Sequence, residues 1–312
     1  MMLKYVEHND IDLNRWDELL LISPNATIFN MSWYLESVSV NWDALILNDY
    51  QAIMPLPFTK KAGVKLLYQP FFSRQSGVFS GNKILTDDEK QLFFTELFNR
   101  FTHINIGFEL GYTIPEIIKS KQRMFQYLDL SIGYESIYKQ YSTNAKRILK
   151  KSNQYNFKLV ENTKPEIIVE YFKKHKGKEI KDLKNEHFES LIALMKICLS
   201  NGFGKSWLVK QGEIVTAGGF FMLFKDRVTY LKGFSTETGK QSGSMYFLMD
   251  EVIKKICSGY QVLDFGGSDV TNVAQFYKKF GASDAFYLFL SRENAPLYFN
   301  VLKKLKNKLK GT

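Results

Sequence analysis

Histidine and cysteine are scarce, at four and two among 312 residues. The histidines (His8, His103, His175 and His187) fall at no ligand or triad spacing, and no Gly-x-Ser-x-Gly elbow occurs. That argues against a metalloenzyme or a serine hydrolase. Cys198 and Cys257 are too few for a disulfide framework, and both sit in apolar helical patterns that predict buried thiols. No apolar run approaches the roughly 20 residues of a membrane span. The opening residues carry no apolar signal core, so a cytoplasmic, reducing location is expected. Proline is also rare, at 7 residues. No Gly/Ser/Pro-rich linker divides the chain, which predicts halves packed tightly on each other.

Acidic residues are outnumbered, 32 against 42 basic ones, for a net charge of +10. This favours anionic partners such as coenzyme A phosphates, tRNA, nucleotide-sugars or an acidic membrane face. A merely solubilising surface fits as well. What the chain has in quantity is apolar and aromatic side chains: 45% of residues are hydrophobic, with 26 Phe and 17 Tyr. That composition is globular, and the length predicts about two domains.

The chain echoes itself at domain scale. Residues 43–69 read as a three-stranded meander with turns at Asn48-Asp49 and residues 60–63. Residues 206–234 repeat the pattern, with turns at Gln211-Gly212 and Lys225-Asp226. The first turns lie 163 residues apart. Each meander precedes a helix and a further strand: residues 86–101 then 104–109, and residues 244–258 then 262–265. Between the repeats, residues 125–130 predict a strand, 134–152 a helix with a basic end, 157–161 a strand, and 165–176 and 185–201 two helices. The boundary is placed near Ser131, giving domains 1–130 and 131–312.

Residues 233–253 carry the most chemistry. A strand runs into a polar, glycine-bearing loop, and an amphipathic helix follows with Met245, Leu248, Val252 and Ile256 on one face. Free N–H groups at such a helix start form an anion site. Gly243 lacks the Cβ that would hold a phosphate off, and Lys240 adds positive charge. An ordinary connection is the plain alternative. After the next strand, Gly266-Gly267 end it, and Tyr277 follows on a short helix near the strand end, where open sheets bind ligands. Plain core packing explains a tyrosine there equally well. Lys146, Arg147, Lys150 and Lys151 form a basic stripe on one helix, readable as an anion grip or as a solvated face.

These motifs resemble the GNAT superfamily, whose coenzyme A loop reads Arg/Gln-x-x-Gly-x-Gly/Ala. Lys240-Gln241-Ser242-Gly243-Ser244-Met245 is similar, with Met245 in the place of the small final residue. Tyr277, before Lys279-Phe280-Gly281, resembles the tyrosine of that family. Tyr141-Ser142-Thr143-Asn144-Ala145-Lys146-Arg147 is similar to the linker helix of FemAB-like proteins, which carry two GNAT domains. Asp264-Phe265-Gly266-Gly267 with Phe276-Tyr277-Lys278-Lys279-Phe280-Gly281 resembles their C-terminal signature, and Phe29-Asn30-Met31-Ser32-Trp33 their opening. The resemblance implies an α/β fold of two tandem GNAT-like domains, each a central mixed (α+β) sheet flanked by helices. The first is a degenerate copy that supplies one wall of the acceptor cleft: its helix opens Thr86-Asp87-Asp88-Glu89, whose charge repels a pyrophosphate.

The implied activity is N-acyl transfer, directly from an acyl-CoA-type thioester to an amine, in cell-wall or polysaccharide metabolism. Residues 240–245 would hold the donor. Backbone N–H groups of strand 227–234 would polarise the carbonyl. Tyr277 would be the general acid, where the lineage often has lysine, and Asp264, Glu237 or Asp269 the base. Lys146, Arg147, Lys150, Gly266, Gly267 and Ser268 would meet an anionic substrate. The acceptor would be a small amine or a cell-envelope precursor. No metal and no DNA are expected; the lysine runs at 173–184 and 303–310 suit at most peripheral membrane contact. The alternatives are an aminoacyl-tRNA-dependent Fem-type transferase acting on a peptidoglycan precursor, and a non-catalytic GNAT-fold binding protein. The chain has no room for the helical-hairpin arm of some Fem enzymes, which weighs against tRNA.

Overall fold

A computed structural model of the chain describes residues 2–175, 183–267 and 271–293. The described residues divide into two compact units, one up to Arg123 together with Tyr287–Glu293, the other Met124–Phe286. The second unit begins seven residues before the boundary expected at Ser131, and the last described strand is divided between the two.

In the first unit, β1 (Leu3–Val6), α1 (Leu13–Ile22) and α2 (Ser32–Val38) precede the meander of β2 (Asn41–Leu47), β3 (Ala52–Lys61) and β4 (Val64–Tyr68). The short β5 (Phe79–Ser80) pairs with β3; α3 (Asp87–Arg100) then leads to β6 (His103–Phe108), which lies parallel to β4. The start of α3 is written in its sequence. Thr86 caps it through a full capping box with Glu89, and Phe93, Phe94 and Leu97 form its buried face. That face packs on Leu45, Met54, Ile104 and Phe108 of the sheet.

The chain continues through β7 (Lys119–Asp129), α4 (Tyr134–Gln140), α5 (Thr143–Ser152), β8 (Phe157–Glu161), α6 (Pro165–His175) and α7 (Asn185–Ser200). A second meander follows: β9 (Gly204–Gln211), β10 (Ile214–Phe224) and β11 (Arg227–Ser235). Then come α8 (Glu237–Ser242), α9 (Ser244–Ile256), β12 (Val262–Gly267), α10 (Thr271–Lys278) and β13 (Ser283–Glu293). The strand order in the second unit is β7-β12-β11-β10-β9-β8, with β11 and β12 parallel. Each unit thus has three antiparallel strands, a helix, and a strand parallel to the third. An antiparallel strand borders each: β13 beside β6, and β7 beside β12. The domain-scale repeat read from the sequence is present in the fold.

Two elements differ from expectation. The helix over 134–152 is interrupted at Tyr141-Ser142, where the Ser142 hydroxyl caps α5 by accepting from the Ala145 N–H and the Ser142 N–H donates to the Lys279 carbonyl. A serine that can bond backbone favours a cap over a helix interior. Cys198 is buried as expected, but Cys257, one residue past the end of α9, is only half-buried.

Candidate functional site

The second unit contains a wedge in its sheet. β11 and β12 pair only as Arg227–Val262, Val228–Leu263 and Thr229–Asp264, and no further pairing joins them among the described residues. Two irregularities open the gap. On β11, Tyr230 and Lys232 oppose Phe221 and Phe220, so Leu231 is an extra residue with no partner on β10. On β12, the register against β7 shifts between Asp264 and Gly267, and Gly266 takes φ +77°. Bulges of this kind bend a strand and leave a backbone group unpaired. At the bulge Leu231 lacks a partner on β10, and beyond Thr229 β11 has no pairing with β12 among the described residues.

Tyr277 projects from α10 to the mouth of this wedge. Its ring stacks on Phe265 with centroids 4.5 Å apart and 15° between planes. It is 7% exposed. Among the described residues its hydroxyl has no hydrogen-bond partner, nor is that oxygen sealed off as Tyr141 Oη is. Burial, followed by the nearby charge of Asp264, pushes its pKa well above the ordinary phenol value. It is a neutral proton donor at any physiological pH.

Beside it lies a second phenol that the sequence reading passed over. Tyr230 meets Tyr277 edge-on at 6.3 Å and packs on Phe221 at 5.0 Å. Burial and the neighbouring Tyr277 raise its pKa as well. Its ring lies over the cross-strand pair Gly219 and Gly233. A Cβ on Gly219 would stand 2.9 Å from the ring, and one on Gly233 2.0 Å from the hydroxyl. The available signal was glycine inside an otherwise apolar strand, which marks a close approach.

Asp264 is fully buried on β12. Its Oδ2 pairs with Arg227 Nη1 at 3.1 Å, and its Oδ1 accepts from the Gly266 N–H at 2.8 Å. These bonds hold the bulge and place a fixed negative charge near Tyr277. Arg227 is the other contributor that the sequence reading missed. Glu237 stands apart from this group: it is exposed in the first turn of α8 and pairs with Lys240.

The segment 233–243 contains a six-residue helix, α8, where the sequence predicted an open polar loop. Thr236 caps it, accepting from the Gly239 N–H at 3.0 Å. The hydroxyls of Ser242 and Ser244 turn back onto the carbonyls of Thr238 and Gly239. Gln241 is exposed and Met245 half-buried against the core. Gly243 joins α8 to α9 at φ +76°, and a Cβ there would stand 2.5 Å from the Ile148 side chain. Its missing side chain thus makes room for α5, a different close approach from the phosphate contact expected of it. Gly243→Ala should lower stability by about 1–3 kcal/mol through overpacking and backbone strain, measured by denaturant unfolding; an unchanged midpoint would contradict the Ile148 contact.

Packing Ile148 on Gly243 brings α5 against the start of α9. Lys146 donates to the Lys139 carbonyl at 2.9 Å, and Arg147 to Asn144 Oδ1 at 3.1 Å. Arg147, Lys150 and Lys151 are exposed. Gly266 lies at the β12 bulge and Gly267 ends that strand. Ser268 and Asp269 lie outside the described residues, as does the run at 303–310. Among the described residues no His/Cys/Asp/Glu group could hold a metal ion, and no helix is long and apolar enough to cross a membrane.

The matching place in the first unit is closed by its own chain. β4 and β6 pair over Leu66–Tyr68, but beyond that the Gln69 Oε1 accepts from the Gly107 N–H at 2.9 Å. The Ser76 N–H donates to the Gly107 carbonyl at 2.8 Å, and the Glu109 N–H to the Ser76 carbonyl at 3.2 Å. Residues 69–76 thus lie where, between β11 and β12, no pairing continues among the described residues.

Comparison with known proteins agrees with this fold. Residues 131–279 match the acetyltransferase (GNAT) domain family. The crystal structure of FemX superposes with a TM-score of 0.68 at 13% identity, covering 96% of this chain and 99% of that one. A conserved protein of unknown function from Bacteroides thetaiotaomicron VPI-5482 gives 0.62 at 9%, covering 93% and 99%. A tandem GNAT protein from the clavulanic acid biosynthesis pathway gives 0.51 at 8%, covering 95% and 100%. At these identities the likeness is one of fold. No curated protein matches the sequence. The chain has the fold of a FemAB-like tandem GNAT protein, two copies of the GNAT fold in succession.

Proposed function

We propose that the second unit transfers an acyl group directly from an acyl-CoA-type thioester to an amine. The observation that carries this reading is the wedge between β11 and β12, with an unbonded, neutral Tyr277 hydroxyl at its mouth. The donor's pantetheine arm enters the wedge, and the β11 backbone beside Leu231 receives the thioester carbonyl oxygen, an oxyanion-type contribution. The amine nitrogen attacks the carbonyl carbon, the C–S bond breaks, and Tyr277 gives its proton to the departing thiolate. The ammonium proton leaves to solvent, and Tyr277 regains a proton from solvent before the next turnover. Asp264, held by Arg227 and the Gly266 N–H, positions Tyr277 and the bulge instead of acting as the base. Phosphates would meet backbone N–H groups at the start of α9, with α5 supplying positive charge.

The family match and the open wedge support this reading; the closed gap in the first unit supports a single donor site per chain. Calorimetric titration with acetyl-CoA tests it directly. Saturable binding with one site per chain is the expected result, and absence of binding leaves a GNAT-fold binding protein. A cell-envelope acceptor is the reading suggested by the FemX likeness.

The exposed basic face of α5 favours one second reading, an aminoacyl-tRNA donor. If it held, tRNA affinity would fall steeply with salt, with a log–log slope of about −0.9 or −0.7 per phosphate neutralised. Fluorescence anisotropy with labelled tRNA at low salt decides it: no binding leaves Lys146, Arg147, Lys150 and Lys151 as surface.

A further inference from the structure

The wedge ends on rings. Where β11 and β12 part, Tyr230 and Phe265 follow immediately on the last paired residues, Thr229 and Asp264. Phe265 lies under Tyr277, and Tyr230 lies between Tyr277 and Phe221. Phe265 and Phe221 are 2% and 0% exposed. The space that Gly219 and Gly233 leave by having no side chains is taken by the Tyr230 ring, down to its hydroxyl. A thioester whose carbonyl oxygen meets the β11 backbone beside Leu231 has its acyl chain next to Tyr230, the residue before the bulge.

We propose that Tyr230 sets the size of the donor acyl group, restricting the site to acetyl or a comparably short chain by filling the floor of the wedge. The inference rests on the acyl-transfer reading above. A longer chain must displace a ring that lies on the cross-strand glycine pair and against two other aromatics. A close-packed interior does not yield such room without strain. The glycine pair and Tyr230 act together, because the ring occupies the faces that both glycines vacate. Tyr230 is a specificity residue here; the proton transfer stays with Tyr277.

The test uses the full chain, titrated calorimetrically with coenzyme A, acetyl-CoA, butyryl-CoA and octanoyl-CoA, so no acceptor is needed. Wild type should bind acetyl-CoA about tenfold or more tightly than octanoyl-CoA, the scale of an overpacking penalty. Tyr230→Ala should shrink or reverse that ratio while affinity for unacylated coenzyme A stays constant. Tyr230→Phe, which keeps the ring, should retain the wild-type order. Should Tyr230→Ala not fold, Tyr230→Leu shortens the side chain with less loss of core and takes its place. Equal wild-type affinity across the series, or an order unchanged in the shortened variant, overturns the size restriction and leaves acyl transfer standing. Failure of wild type to bind coenzyme A itself removes both, and is told apart because unacylated coenzyme A carries no chain to exclude.

Discussion

Tyr277→Phe should lower kcat by about 10²–10⁴-fold, the usual worth of a positioned general acid, with donor affinity near wild type. The variant removes one oxygen that has no partner in the fold, so stability should change by less than about 1 kcal/mol. The ring stack on Phe265 is retained. A merely structural tyrosine would leave turnover intact. The pH profile gives a second readout. Burial and the Asp264 charge raise the Tyr277 pKa, so its acid form persists through and beyond the range where a free phenol titrates. Wild-type kcat should therefore show no loss attributable to this group up to about pH 10, the ordinary phenol value. An unchanged kcat in folded Tyr277→Phe would retire the acid role.

Arg227→Met should destabilise the second unit by about 3 kcal/mol or more, because it takes the cation from a buried carboxylate. Asp264 has no exposed side-chain surface, while Arg227 is one-third exposed, so the penalty falls on the aspartate. Urea unfolding measures it, and an unchanged midpoint would sink the claim. Arg227→Met with Asp264→Leu should recover much of the loss, since replacing both partners leaves no uncompensated charge.

Much of this was legible along the chain. The strands of both meanders, α3 with its capping box and the α9 face of Leu248, Val252 and Ile256 follow from period and cap chemistry, which act within a few residues. Tyr277 stood out because its surroundings, from Phe276 to Gly281, are a local motif. Asp264 was one of three candidate bases, but its partner Arg227 is 37 residues away and no spacing announces the pair. Gly243 stood out in the sequence for the room its missing Cβ leaves to a phosphate. What approaches it, Ile148, is set by the packing of α5 on α9.

The sequence by itself determined the repeat and the fold class, because periodicity and capping are short-range properties. Only the tertiary structure decided where paired strands part and what lies beside the parting. Gln69 and Gly107 meet in the first unit, and Tyr230 settles on Gly219 and Gly233 in the second. Each of these depends on register between strands distant in sequence. A shift of one residue turns every side chain to the opposite face, so the site exists only once the sheets have formed.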